Sequence, residues 1–420
     1  MITTFMLSRK KHAGGRGNGA SNRSGKLSLR AFWLMCGLVI SLSFLLSACS
    51  NPFVQPVQGG GPTSITPSPT QALASPTPSV TPRVITLHVS SNCPSYVVST
   101  NWDKVLNTNP AVNKVQLVNY GSLEGAGSME AVVGVGYVTP DAKLDVYVFD
   151  NLTSSKPTVT FKVPGLIDGD AQVSPTGTLM TAEIGLKGVA SKERNLFKEY
   201  QWNGSSFAQV LFPYIYPDMT HYQAEQDNTL FTTEVAANQK ADLWKTSGTD
   251  EAGHLALSIF RWTSVTQSVL KFDSAADTII VQTNNTGPGG GGFIATLHHL
   301  DGNTHNILEI TSVTPLDTNI NLSSPAAGTQ VKSPVNVAGT AQGGTNLLGE
   351  VVIYDDSYVQ AGTSGPIAST GTGYTSFTHL IPYTLNASGV QEGVVVLMTT
   401  TQNNIALTNQ IEMVKVFLAA

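Results

Sequence analysis

Between residues 50 and 83 the chain carries Pro52, Pro56, Pro62, Pro67, Pro69, Pro76, Pro78 and Pro82 among Ser, Thr and Gly, with Arg83 as its single charge. Such a segment cannot bury enough apolar surface to offset the entropy of ordering it. Proline biases it towards extended polyproline II, at most about 3.1 Å per residue. Whatever folds must therefore begin near Val84. The segment reads as a stalk that lifts a folded head away from the start of the chain.

That start has three parts in order. Residues 1–30 carry Arg9, Lys10, Lys11, Arg16, Arg23, Lys26 and Arg30 and no acid, and Ala31 to Leu46 is almost wholly apolar. Leu46-Ser47-Ala48-Cys49 then closes the apolar run with small residues and a thiol. This is the layout of a secretory signal, with an apolar stretch short for a membrane span. The ending reads as a bacterial lipobox. Cys49 is the expected lipidation site, and 1–48 is the expected signal peptide. An uncleaved anchor is the alternative, and both readings place the head outside the cytoplasm because the basic side stays in. Two or three acyl chains hold far better than one. The expected partner of the anchor is the membrane.

Cysteine use agrees with export. Cys36 falls in the signal and Cys49 is the lipid site, so Cys93 alone remains in the head and no intrachain disulfide is available there. A small core or surface residue is the simpler reading of Cys93 than a reactive thiol. The net charge of -5 includes the basic leader, so the mature head is more acidic still. That argues against nucleic acid as a partner.

The head divides into three expected blocks. Residues 84–215 show short β-branched or alternating runs (114–120, 130–138, 144–149, 158–163, 207–212) and predict a mostly antiparallel β domain. A short helix is expected to open near Asn101. In 216–315, residues 220–240 have few breakers and many helix formers. Ala252, Leu255, Ala256, Ile259 and Phe260 then mark one helical face, with Thr249 or Asp250 placed to cap it. Strands are expected at 278–283, 293–300 and 307–313. The middle block is thus an α+β, helix-backed curved sheet. Residues 316–420 give about seven short alternating runs, as in a sandwich. The fold class expected is mainly β with an α+β middle domain.

Two resemblances follow from these residues. "LSSPAAGTQVKSPVNVAGTA" at 322–341, Glu350 leading a strand, and "QEGVVVLM" at 391–398 resemble the immunoglobulin-like domain of bacterial spore-germination proteins. The chain departs at Leu348-Gly349, where that domain carries an aromatic before the glutamate. The resemblance implies an immunoglobulin-like β-sandwich, and an envelope role linked to sporulation or germination. It carries no catalytic residue over. By element order alone, the middle block resembles the cone fold of the nuclear-transport-factor-like superfamily. "FPYIYPDMTHYQAEQD" and "LHHLDGNTHNILEITSV" also look like modules of lipoproteins from filamentous, sporulating bacteria.

Candidate chemistry is sparse. His298, His299 and His305 lie near Asp301 and Glu309, but adjacent strand histidines point to opposite faces. Strand histidines are the better reading than a metal site. Asp168 with Asp170, and Asp355 with Asp356, lack the further oxygens that a calcium site needs. Thr286 to Gly292 contains G-x-G-x-x-G but is followed by a strand, so it reads as a hairpin loop. No G-x-S-x-G elbow is present. The aromatics from Phe212 to Asp218 read as a domain junction rather than a glycan- or peptide-stacking surface. No catalytic residue, metal ligand or cofactor is expected. The chain reads as a non-catalytic, lipid-anchored binding or structural module of the envelope, with an envelope protein or cell-wall partner. The alternative is a sensor or carrier of small molecules, its ligand in a cavity between the 249–260 helix and the middle sheet, near Ile280, Ala295 and Leu308. A hydrolase in that cavity would use Asp273 or His299.

Overall fold

Strands at 113–121, 130–137 and 143–150 set the architecture from the start: each is rich in Val and aromatics and each is bounded by turn residues. The computed structural model describes residues 86–89, 94–95, 100–140, 142–185, 193–240, 242–287, 289–303, 305–316, 320–342, 347–369, 373–399 and 409–420. Leu46, Ser47, Ala48, Cys49, the 50–83 stalk and Cys93 lie outside these residues. Residues 78–420 belong to one unit. The fold is mainly β with a small helical component.

The first sheet has strands β1 (His88–Val89), β2 (Asn113–Gly121), β3 (Glu130–Tyr137), β4 (Lys143–Asp150) and β5 (Thr158–Ile167) in sequential order. The second is an antiparallel meander of β6 (Asp170–Val173), β7 (Leu179–Glu183), β8 (Leu196–Trp202) and β9 (Phe207–Val210). Leu117, Val132, Leu144 and Val146 of the first sheet pack against Ala171, Leu179 and Phe207 of the second. The other face of the first sheet buries Val115, Val133 and Phe149 under Trp102 of helix α1 (Trp102–Val105), whose start Asn101 caps. Burial on both faces explains why β3 is a nearly continuous apolar run.

Helix α2 (His221–Ala236) begins with a full capping box: Thr220 caps the backbone of Gln223, and Gln223 returns the bond. A 3₁₀ turn (Leu243–Thr246) leads to helix α3 (Gly248–Ser258). Ser247, not Thr249 or Asp250, caps α3, because its hydroxyl accepts from the Asp250 amide. Strands β10 (Val265–Asp273), β11 (Thr278–Asn285), β12 (Gly291–His299) and β13 (Leu308–Pro315) follow. Helix α3 lies on this sheet, touching β10, β11 and β13. Helix α2 instead packs on β7 and β8, so one helix backs the middle sheet.

The last third holds β14 (Ile320–Ser324), β15 (Gln330–Lys332), β16 (Val335–Gln342), β17 (Leu347–Asp355), β18 (Gln360–Thr363), β19 (Ile367–Ala368), β20 (Tyr374–Ile381), β21 (Val390–Thr399) and β22 (Asn409–Ala419). A three-stranded sheet, β14-β16-β20, faces a larger one built on β17, β21 and β22. The hydrogen-bonded ladder does not stop at residue 315. Gly291 and Gly292 of β12 pair in parallel with Asn409 and Gln410 of β22, which joins the middle sheet to the larger one as ten strands. Alternate residues of β21 then serve different cores. Val394 and Val396 face the core under α3, while Val395 and Leu397 face the sandwich core. That is why β21 reads as Val-Val-Val-Leu-Met rather than as an alternation.

Candidate functional site

The segment from Phe212 to Asp218 is where the modules meet. Phe212, Tyr214, Ile215 and Tyr216 are buried, which makes the segment junction core rather than a stacking surface. Extended backbone here leaves carbonyls without ladder partners, and buried carbonyls require donors. Lys415 of β22 supplies them. Its Nζ donates to the Phe212, Tyr214 and Met219 carbonyls at 2.6, 2.5 and 2.6 Å, and lies 2.6 Å from Glu392 Oε2. The Phe212 amide donates to Glu392 Oε1 at 3.1 Å. Beside this pair, Glu199 Oε1 accepts from His221 Nδ1 at 2.9 Å, and the His221 ring stacks on Phe212. Burial alone lowers the His221 pKa, but Glu199 and Glu225 outweigh it and raise it to about 9. Burial raises Glu392 to about 7 against the pull of Lys415.

A second buried group adjoins the first. Asp218, Glu251 of α3 and Glu309 of β13 carry side-chain oxygens that are buried and unpartnered. Lys245, from the 3₁₀ turn, pairs with Asp227 and lies 3.5 Å from Asp242. Burial, then Asp227, raises Asp218 to about 8. Glu251 and Glu309 are pushed well above the carboxylate range, chiefly by burial. Burial beside other acids favours the neutral form of each, against the pull of Lys245 on Asp218 and Glu251, because a buried charge is far costlier than a buried proton. No trio of His, Cys, Asp or Glu among the described residues is spaced to hold a metal ion.

An open groove of about 720 Å³ lies where α3 ends and the larger sheet begins. Its wall is Ser258 to Trp262, and its floor includes Val352, Tyr354, Met398 and Ile411. Arg261 adopts a left-handed backbone (φ 58°), and the Trp262 amide returns to the Ala256 carbonyl at 3.1 Å. Both residues line the groove, and the Trp262 ring rests on Phe260 and Phe293 of the core beneath it, 5.9 and 5.6 Å away between centroids. Glu350, Gln360 and Tyr358 complete the rim. The Tyr358 hydroxyl donates to the Ile215 carbonyl, and Ser258 bonds Tyr216, so the groove's back wall is tied to the buried junction.

The residues singled out from sequence fall mostly elsewhere. The space between α3 and the sheet is filled: Ala252, Leu255 and Ala256 meet Val281, Ala295 and Leu297, all with 0 % exposure. Ala295 and Leu308 are core residues, and Ile280 is half-buried on its strand. Asp273 pairs with Lys271 at 3.1 Å, and His299 Nδ1 with Asp277 Oδ1 at 2.5 Å, neither within the groove. The His305 ring lies edge-on to Phe231, and Asp301 is an exposed turn residue. Asp170 accepts from Tyr222 at 2.7 Å and pairs with Arg194 at 3.2 Å. Asp355 accepts from the Ser357 and Val359 amides, which makes it a turn cap. The glycine run does more than turn a hairpin, since Gly291 is pressed against the Asn409 backbone. Arg261, Trp262, Tyr354 and Tyr358 were not read from sequence as site residues, and Glu350 was read only as the start of a strand. The one local signal was Arg261-Trp262 directly after the apolar face of α3 ends. Neither a family model nor a curated protein matches this chain.

Proposed function

We propose that the chain is a lipid-anchored protein of the bacterial envelope, held by Cys49, whose head is a non-catalytic module that binds cell-wall material in the groove. The groove itself is the observation that supports this reading. Its volume suits a small ligand or a segment of a polymer, and its lining mixes aromatic faces with polar and charged groups in about equal measure. The strongly shifted acids lie buried at the junction rather than in the groove lining, which suits binding better than proton transfer. The leader, the small-residue site before Cys49 and the proline-rich stalk support the address. The resemblance of the C-terminal residues supports sporulation or germination as the setting.

Methyl NMR on the chain from residue 50 onwards tests it. Soluble fragments from an enzymatic digest of peptidoglycan should shift Val352, Met398 and Ile411 and leave core methyls such as Leu297 in place. Trp262→Ala should weaken that binding tenfold or more. Shifts confined to other surfaces, or none at all, would refute the groove as the binding site.

A further inference from the structure

The groove presents two opposite charges that the protein does not use itself. Arg261 is exposed at the wall and Glu350 is half-buried at the floor's edge. Among the described residues, neither side chain makes a hydrogen bond or an ion pair, with each other or with any neighbour. Several other partly buried charges near the surface of the head are answered: Asp145 by Lys162, Asp170 by Arg194, Glu183 by Lys198. Both groove charges nevertheless act on one point. Besides burial, Glu350 raises the Tyr354 hydroxyl pKa and Arg261 lowers it. Val352, Met398, Ile411 and Trp262 line the same groove and give it an apolar surface.

We propose that the groove takes a short peptide by its two free ends, with Arg261 on the carboxylate, Glu350 on the ammonium, and an apolar side chain against Trp262 and Met398. This rests on the groove being the binding site. The chemistry selects the class. A guanidinium offers a planar fork of donors that a carboxylate matches, and a free carboxylate accepts from an ammonium. A neutral glycan would answer neither charge. A polyanion would meet Glu350 head-on. A lone inorganic anion would leave the apolar surface in water. A volume of about 720 Å³ holds a few residues, and not a folded partner. Uncross-linked stems of a cell wall carry the same two charges, a free carboxylate and a free side-chain amine, so the inference narrows the proposed partner rather than replacing it.

The test uses a four-residue peptide with one central Leu, in free-ended, N-acetylated and C-amidated forms, titrated by methyl NMR into the chain from residue 50 onwards. The free-ended form should shift Val352, Met398 and Ile411 saturably. Amidation should weaken binding tenfold or more in the wild-type chain and leave Arg261→Gln indifferent. Acetylation should do the same, with Glu350→Gln indifferent. Both variants sit at the surface and should keep the wild-type melting temperature, which separates lost binding from lost fold. If capped and free peptides bind alike, the charge roles are wrong. If the peptide leaves the groove still while peptidoglycan fragments shift it, the ligand class is wrong and the site stands. If neither moves it, both readings fall.

Discussion

Asp218, Glu251 and Glu309 give the head an unusual pH response. Each is buried among unanswered acids, so each keeps its proton in the fold at a pH where the unfolded chain, with carboxyls near 4, has released it. A folded pKa above the unfolded one contributes stability that is intact below the unfolded value and is lost as pH rises through the folded one. For Asp218 that window runs from about 4 to about 8. Glu392, raised to about 7, and His221, raised to about 9, act in the same direction. Asp145 and Asp277 have lowered values, so their contribution changes only below about pH 4. Denaturant unfolding should therefore show the head more stable at pH 5 than at pH 8, by at least ~1.4 kcal/mol, the worth of a tenfold change in proton affinity. Glu309→Gln, which keeps the shape and removes the titration, should flatten that slope. A stability that rises from pH 5 to pH 8 would show that these acids are ionised and compensated in the fold.

Elements were legible where their two faces differ and less so where they do not. Residues 113–121 alternate or run apolar, and their strand was predictable from that pattern. Helix α2 announced itself through many helix formers and few breakers over 220–240, and α3 through the spacing of Ala252, Leu255 and Ala256. Strand β10 was missed because its central residues are exposed on both faces, leaving no burial signal, and β8 because Lys198 and Glu199 interrupt it. The groove and the ionic junction could not be read at all. Lys415 meets Phe212 across 203 positions, and Arg261 and Glu350 line one groove because β22 joins β12. That joint depends on Gly291 having no side chain. A Cβ there would lie 2.2 Å from the Asn409 carbonyl oxygen and on a backbone with φ 88°. Gly291→Ala should destabilise the head by about 1–3 kcal/mol, the usual cost of overpacking against an unyielding neighbour. Gly290→Ala, at a comparable backbone angle (φ 56°) with open space around it, should cost less. Equal losses from the two would mean that backbone angle alone matters, and that the joint is not a tight contact.

At the scale of the whole molecule, the cores are not distributed like the three blocks of the sequence. The two main cores of the N-terminal sandwich draw only on positions 102–207, and α2 covers the outer face of β7 and β8 through Tyr222. The core under α3 is not so confined. It borrows Val394, Val396, Ile411 and Met413 from the last two strands, and the backbone before α2 borrows Lys415 as its donor. Removing residues 316–420 therefore takes away one wall of the middle core, opens the edge of β12 where β22 sat, and leaves three buried carbonyls without hydrogen. Orphaned buried polar groups cost about 1–3 kcal/mol each. Together with the lost apolar contacts, that exceeds what a marginally stable module can absorb. Residues 84–211 should fold alone, with dispersed amide signals and a cooperative melt. Residues 84–315 should show that same folded set, with α2 able to dock on β7 and β8, and with 243–315 adding only collapsed, rapidly exchanging amides and an exposed apolar surface that binds dye. Only in the full head should amides of α3 and β13 become protected, and they should open together with those of β21. Protected α3 amides in the 84–315 fragment would show that the middle module closes without the C-terminal strands, and that the shared ladder joins two independent domains.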